Sequence, residues 1–466
     1  MIHNSFFNLQ HLHKRLFTLL LLLLPTQLGF HFWPEWAFVL GRRVDYLAPT
    51  IYLTDILVVC LLASWIIKSQ KKFLIYNFHF LIKQRNLQFS IFKLALVLSF
   101  AGVNIFFAAS RPVAIYKWMK LGEFVVLAWY IIKTKPSLSA ISYPLSAGVL
   151  FSSLFAIAQF FLQRSIGGPL WFLGERTFTA DTPGIARIAL NWDLGPVSPA
   201  GRFGAWDFGL KLRPYATFPH PNVLGGFLAV LLPLMIYKLT NLQINKFTRW
   251  KRSYYLTTLV LGMIALVLTF SRSAWIAGGL AIALTIAKFK VQSSLAWPPG
   301  QAKFKVAIQI SKIFLLTFLV LGFWFLIGGI NPTEESWVVR SELNVAAVKI
   351  WQQSPLFGVG LGNFLTELPQ TLPSREIYFL QPAHNIYLLI LAETGVVGLL
   401  IFVWLIYKVI RKHELGIMNY GKNRNFSFII RNSLFIILLL GLVDHYPLTL
   451  QQGQLLLTLF LGLALP

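Results

Sequence analysis

Residues 385–407 read NIYLLILAETGVVGLLIFVWLIY, an almost unbroken apolar run with a single acidic residue. A helix needs about 20 predominantly apolar residues to cross a bilayer. Two further runs have the same character, LFTLLLLLLPTQLGFHFW at 16–33 and SYYLTTLVLGMIALVLTF at 253–270. Hydrophobic residues make up 56% of the chain, charged residues only 12%, and the mean hydropathy is +0.65, which is not the balance of a soluble protein. The sequence therefore predicts an all-α membrane protein.

Along the whole chain, the apolar pattern predicts about twelve transmembrane helices. No small-residue cleavage site follows the first run, so it is interpreted as a retained helix and not as a signal peptide. The predicted spans are about 16–33, 49–67, 94–110, 113–132, 141–163, 221–237, 253–270, 273–287, 313–330, 385–407, 432–443 and 449–464.

The net charge of +25 lies almost entirely in alternate connections between these spans. Basic residues concentrate in the cytoplasmic loops of membrane proteins, so these connections and both termini are predicted to be cytoplasmic. The charge thus reflects topology, which argues against nucleic acid as a partner. Cys60 is the only cysteine, so an internal disulfide and a cysteine-based metal cluster are excluded.

Two long segments, 164–220 and 331–384, fall on the opposite, extracytoplasmic side of this topology. They are rich in Gly, Pro and Trp, and function is expected to concentrate in them. Within the second, 334–353 has apolar residues at helical spacing and is predicted to be an amphipathic helix lying in the interface plane. The predicted organisation is 1–163 with helices 1–5, the loop 164–220, 221–330 with helices 6–9, the loop 331–384, and 385–466 with helices 10–12.

His384 is the first candidate for chemistry, because it follows Pro382 at the outer mouth of the tenth predicted helix. The positive field of a helix N-terminus disfavours imidazolium, so a histidine there tends to be neutral and able to accept a proton. An interfacial histidine that only caps or packs fits the position equally well.

Three arginines are candidates for binding an anion. Arg272 lies in LTFSRSAWIAGG at 268–279, the polar tip of a predicted two-helix hairpin, and the planar guanidinium suits phosphate or diphosphate. Arg340 lies on the amphipathic helix, and Arg213 precedes the sixth span. The alternatives are snorkelling to the headgroups for the first and ordinary salt bridges for the other two. His220, between two prolines at a helix start, is assigned a structural role.

The other motifs give weaker support for a functional site. GVGLGNF at 358–364 does not match a nucleotide-binding pattern and is interpreted as a tight turn. Asp444 and His445 form a polar pair near the last outer turn, for which a structural role is favoured. The chain has no Asp-x-Asp, His-Glu-x-x-His, Walker or Gly-x-Ser-x-Gly motif, so metal-dependent sugar transfer, metalloproteolysis, ATP hydrolysis and serine hydrolysis lack sequence support.

Three runs, FSRSAWIAGG, PLFGVGLGNF and PAHNIYLLILAETGVVGLL, resemble in their order the O-antigen ligase and O-antigen polymerase superfamily, over about 210–410. The resemblance implies a multihelical fold of the polyprenyl-phosphate-dependent (GT-C) type in the bacterial inner membrane. It also implies glycan transfer from an undecaprenyl-diphosphate carrier to a lipid or glycan acceptor outside the cytoplasm, with no cofactor and no metal.

Carried over by position, the resemblance gives His384 the role of the family's histidine, which removes a proton from the acceptor hydroxyl in a single inverting displacement. It gives Arg272 and Arg340, and more weakly Arg213, the role of binding the diphosphate. The acceptor stays open between a ligase acting on lipid A core, a polymerase, and a protein O-oligosaccharyltransferase.

A transporter of a lipid-linked solute is the alternative outside enzymes. It would need ionisable residues deep in several helices that face a shared path. The candidates for such residues are Asp55, Glu123 and Glu393. Glu393 fits equally well as a hydrogen-bond partner between helices.

Overall fold

A computed structural model of the chain describes residues 9–73, 85–191, 207–240, 249–293, 335–372, 380–414 and 424–465. The predicted span 313–330 lies outside these residues. The described part is mostly helical, as the apolar pattern predicts. Its helices are α1 (Leu9–Leu22), α2 (Leu53–Phe73), α3 (Arg85–Phe106), α4 (Arg111–Thr134), α5 (Leu138–Leu162), α6 (Pro221–Thr240), α7 (Arg249–Leu268), α8 (Arg272–Ser293), α9 (Glu335–Gln353), α10 (Phe364–Thr371), α11 (Ile386–Glu414), α12 (Arg424–Leu440), α13 (Tyr446–Thr449) and α14 (Gln451–Ala464).

Four helices in the described ranges are long and apolar enough to cross a membrane, namely Leu138–Leu162, Pro221–Thr240, Trp250–Leu268 and Ile386–Arg411. Two shorter apolar helices are Ala95–Phe106 and Asn425–Leu440. These lengths and compositions are those of a membrane protein. Twelve spans with cytoplasmic termini stay a prediction.

The predicted first span is wrong in its second half. α1 ends at Leu22, and Pro25 follows, which has no amide hydrogen to donate to a helical turn. The chain then becomes extended, and β1 (Gly29–His31) pairs antiparallel with β4 (Thr50–Tyr52). Residues 29–52 therefore form a folded segment between α1 and α2 that the sequence pattern did not predict.

The strands are short and form three antiparallel pairs among the described residues. They are β1 (Gly29–His31), β2 (Phe38–Val39), β3 (Arg42–Arg43), β4 (Thr50–Tyr52), β5 (Arg187–Asn191) and β6 (Asp207–Leu212). β2 pairs with β3, and β5 pairs with β6. The β5–β6 pair lies in the described part of the segment 164–220.

Contacts divide the chain into two compact units. The first unit comprises Met1–Leu24, Gly29–Ile141 and Ile330–Pro466, and the second comprises Pro25–Leu28 and Ser142–Gly329. In the second unit α6 packs against α7 and α8 and is buried along most of its length. The Trp275 indole N–H donates to the Leu266 carbonyl oxygen over 2.8 Å, which closes the predicted hairpin of α7 and α8.

In the first unit α9 packs against α10 and α11. Its buried residues Val339, Leu343 and Ile350 recur at helical spacing, as predicted, and belong to one apolar cluster with residues of α10, α11 and the 29–52 segment. The apolar face of α9 is thus covered by protein, and its location in the interface plane stays a prediction.

The longest apolar helix, α11, contains a break. Gly395 has non-helical angles (φ 66°, ψ −172°), and the segment 355–360 supplies the hydrogen bonds that the helix loses there. The amide groups of Val359 and Gly360 donate to the Ala392 and Glu393 carbonyls over 3.0 and 3.1 Å, and the Val396 amide donates to the Pro355 carbonyl over 2.9 Å. The glycine turn and the broken helix thus form one junction.

Candidate functional site

His384 lies directly before α11, where the sequence predicts it. The Asn385 side-chain oxygen accepts hydrogen bonds from the Tyr387 and Leu388 amides over 2.9 and 3.1 Å, so Asn385 caps the helix. The Ile386 amide donates to the Gly441 carbonyl over 2.8 Å. This bond joins the start of α11 to the turn after α12, and the turn leads into Asp444 and His445.

The turn places Asp444 and His445 beside His384. One ligand-type atom of each of the three side chains lies within 4.8 Å of the others. The imidazole rings of His384 and His445 meet edge to face, with centroids 5.0 Å apart. His384 is half-buried, whereas Asp444 and His445 are buried. We refer to His384, Asp444 and His445 as the His–Asp–His cluster.

His445 is held by local hydrogen bonds. Its Nδ1 lies 2.6 Å from the Thr449 hydroxyl oxygen, and that hydroxyl lies 3.1 Å from the His445 carbonyl oxygen. Because the carbonyl can only accept, the threonine donates its proton there, and Nδ1 is then the donor to the threonine oxygen. This tautomer leaves Nε2 of His445 unprotonated. The Tyr46 ring packs edge to face on the other side, 5.5 Å from His445.

Burial and neighbouring charge keep both histidines neutral. Burial lowers the pKa of His384 to about 4, nearby His445 and Arg340 lower it further, and Asp444 opposes them. Burial likewise lowers the pKa of His445, with the same opposition from Asp444. Both rings therefore have a free nitrogen lone pair at neutral pH, available to accept a proton or to bind a metal ion.

Arg340 is the predicted site residue that the structure brings to His384. It lies half-buried on α9, which packs against α11. Its positive charge lowers the pKa of both His384 and His445, so the guanidinium lies within electrostatic reach of the cluster. Arginine in such a position can bind an anionic group of a ligand.

Arg213 and Arg272 belong to the second unit and share one feature there, the tip of the α7–α8 hairpin. The Arg213 guanidinium donates from Nε to the Thr269 carbonyl and from Nη2 to the Asn222 side-chain oxygen, both over 2.8 Å. Arg272 is exposed and is the first residue of α8. Nδ1 of His220 accepts the Asn222 amide over 3.1 Å, which supports the structural role assigned to this histidine. The diphosphate-binding roles of the arginines stay predictions.

The glycine-rich motif is a turn, as interpreted from the sequence. The Val359 and Gly360 amides donate to α11, the Leu361 amide donates to the Asn104 side-chain oxygen over 2.9 Å, and the Phe364 amide donates to the Glu393 carboxylate over 3.4 Å. These donors are used within the protein. The motif therefore does not form a phosphate cradle from them.

Asp444 and His445 are the residues that the sequence did not predict to lie at the site. Their sequence context favours a structural role, and the structure places them beside His384. Their signal was a polar pair between two apolar spans. Tyr46 and Thr449, which also contact His445, carried no sequence signal of their own.

Residues 257–403 match the family model described as O-antigen ligase. The matched segment contains Arg272, Arg340 and His384, and it ends before Asp444 and His445. No curated protein matches the chain. The matched segment contains all three runs on which the sequence resemblance rests.

Proposed function

We propose that this chain, whose residues 257–403 match the O-antigen ligase family model, is a glycosyltransferase that moves a glycan from an undecaprenyl-diphosphate carrier to an acceptor outside the cytoplasm. The observation that supports this most directly is the His–Asp–His cluster. It provides a neutral histidine inside the family segment, at a helix N-terminus and beside a carboxylate. A general base must be unprotonated before it takes the proton of a hydroxyl, and His384 meets this condition.

In the proposed reaction the neutral ring of His384 takes the proton of the acceptor hydroxyl. The hydroxyl oxygen attacks the anomeric carbon, and the bond from that carbon to the carrier diphosphate breaks with its electron pair on the diphosphate. A single displacement inverts the anomeric centre. The Asp444 carboxylate would stabilise the imidazolium formed on His384, because it already opposes the lowering of its pKa.

The positive charge of Arg340 suits the leaving diphosphate, whose negative charge grows as the bond breaks. Its place beside the cluster supports this assignment. Arg272 and Arg213 keep their assignment to diphosphate binding on the sequence resemblance. For Arg213, the bonds to Thr269 and Asn222 fix the position of the guanidinium.

The proposed location is the bacterial inner membrane, with the cluster on the extracytoplasmic face. The basic connections between apolar spans support this orientation. No metal or cofactor enters the proposed reaction, because the sequence has no Asp-x-Asp motif and the proton transfer is assigned to histidine.

The acidic residues that a transporter would use are engaged within the protein. Lys120 lies 2.7 Å from an Asp55 oxygen and 3.1 Å from a Glu123 oxygen. Glu393 accepts the Phe364 amide at the glycine turn. These contacts account for the three carboxylates structurally, and no specific observation favours transport.

The test is transfer in vitro with purified protein, a labelled undecaprenyl-diphosphate glycan, a chelator, and lipid A core, free glycan or peptide as acceptors. Loss of a general base costs roughly 10²–10⁴-fold, so the His384→Ala protein should lose transfer by at least about 100-fold. The exposed His11 gives a matched control as His11→Ala. Undiminished transfer by His384→Ala protein that reaches the membrane normally would remove His384 from the mechanism.

A further inference from the structure

The His–Asp–His cluster has the composition of a metal site. Two imidazole nitrogens and one carboxylate oxygen are ligands that zinc and similar divalent ions accept, and three protein ligands leave one position open. The ligand atoms lie within 4.8 Å of one another. In a tetrahedral site with bonds of about 2.1 Å, two ligands lie about 3.4 Å apart, so small side-chain rotations would close the site.

The hydrogen bonding of the two histidines also suits metal binding. A metal-bound histidine commonly donates its second ring N–H to a fixed acceptor, which sets the tautomer. His445 does so through Nδ1 to Thr449, which leaves Nε2 unprotonated. Nδ1 of His384 is buried and has no hydrogen-bond partner within the described ranges of the chain. Such an orphaned nitrogen is a reason to expect a ligand.

The charge around the cluster determines what kind of metal site it can be. Asp444 is the one carboxylate of the cluster, and Arg340 lies on α9, which packs against α11, so that its positive charge acts on both histidines. Arg340 therefore disfavours a bound cation, and its charge makes binding weaker than in a structural zinc site. An exchangeable ion fits this balance better than a permanently bound one.

We propose that His384, Asp444 and His445 form an exchangeable site for a divalent transition-metal ion, and that the bound ion inhibits glycan transfer by occupying the lone pair that His384 needs as a base. The inhibition of transfer rests on the proposed function, whereas the metal site itself does not. A metal ion would thus act as a reversible inhibitor of a reaction that proceeds without metal.

Cobalt(II) tests the site independently of activity, because its visible absorption reports nitrogen and oxygen coordination. The full-length protein is purified without a polyhistidine tag and titrated with Co²⁺. We expect a saturable spectrum from one ion per chain, its displacement by Zn²⁺, and its loss in His445→Ala and in Asp444→Asn. His11→Ala should keep the spectrum. A wild-type protein without a saturable spectrum, or an unchanged spectrum in His445→Ala, overturns the site.

Arg340 and Thr449 give a second test that does not remove a ligand. Arg340→Gln removes the repulsive charge and should bind Co²⁺ several-fold more tightly, whereas Thr449→Val removes the acceptor of the His445 N–H and should bind it more weakly. An Arg340→Gln protein with unchanged or weaker Co²⁺ binding contradicts the electrostatic argument.

The activity arm separates this proposal from the proposed function. We expect Zn²⁺ to inhibit transfer and a chelator to restore it. If Co²⁺ does not bind while His384→Ala abolishes transfer, the metal site is wrong and the proposed function stands. If Co²⁺ binds through the cluster while His384→Ala transfers normally, the site stands and the catalytic role fails.

Discussion

Asn104 holds the glycine turn and the break of α11 together, and its replacement by leucine tests that junction. Asn104 is fully buried on α3. Its amide group donates to the Phe357 carbonyl over 2.7 Å and to the Glu393 carbonyl over 2.9 Å. Its oxygen accepts from the Trp118 indole N–H over 2.8 Å and from the Leu361 amide over 2.9 Å. One side chain thus binds two segments far apart in sequence.

The expected change in the free energy of unfolding follows from these four hydrogen bonds. A buried hydrogen bond contributes about 1 kcal/mol net, and a partner left unsatisfied costs about 1–3 kcal/mol. Leucine branches at the same carbon and is larger than asparagine, so Asn104→Leu leaves no cavity but deprives every partner of its bond. We expect a loss of at least about 4 kcal/mol in the free energy of unfolding. Trp118→Phe removes one of the four bonds and should cost about 1 kcal/mol.

Thermal unfolding of the purified protein in detergent, followed by tryptophan fluorescence, measures the series. We expect the melting temperature to fall in the order wild type, Trp118→Phe, Asn104→Leu. Gly102→Ala on the same helix is the control, because an added Cβ there meets no atom within 4 Å. An Asn104→Leu protein that melts with the wild type would refute the role given to Asn104.

Three further changes test separate features. Gly395→Ala places a Cβ against the Leu356 carbonyl at a positive φ, so it should cost several kcal/mol and sharply lower the yield of folded protein on size-exclusion chromatography. Lys120→Met leaves two nearly buried carboxylates without their cation and should cost about 3–5 kcal/mol in unfolding measurements. Thr449→Val frees the His445 ring, and losing this one bond of about 1 kcal/mol should slow transfer roughly fivefold in the labelled-glycan assay.

Each of these has a matched control or a contrary outcome. Gly122→Ala on α4 meets no atom within 4 Å and should fold as the wild type does, so equal yields of Gly122→Ala and Gly395→Ala would contradict the clash. Lys133→Met changes an exposed lysine of the same helix as Lys120 and should cost little. A Thr449→Val protein that transfers at the wild-type rate would show that the His445 ring needs no fixed orientation.

Much of the fold could be predicted, because the length of an apolar run and the polar residues at a hairpin tip can be read from neighbouring residues in the sequence. The hairpin of α7 and α8 turns at the predicted tip, and α9 lies within a residue of the predicted segment. The 29–52 segment was missed because its aromatic residues extend the apolar run of α1, so the run looks like one helix. Only the pairing of Gly29–His31 with Thr50–Tyr52 distinguishes a short strand from such a helix.

The candidate site could be predicted only in part, because it is built from distant residues. His384 and Arg340 have local signals, a helix start and an amphipathic face. Asp444 and His445 lie about sixty residues after His384 and reach it through the bond from Ile386 to Gly441. No local pattern reports such a contact, and a polar pair between apolar spans is commonly only a turn.

The break in α11 also bears on how the chain is inserted into the membrane. The part of α11 around Gly395 is apolar, so a broken helix that entered the bilayer alone would carry unpaired backbone groups there, which hydrocarbon does not tolerate. The partners of these groups, Pro355 to Gly360, belong to a separate segment and can pair with α11 only when that segment packs against it. We therefore expect this helix to enter first as a continuous helix, and to break only when the preceding turn docks against it, so that final assembly follows insertion as a separate step.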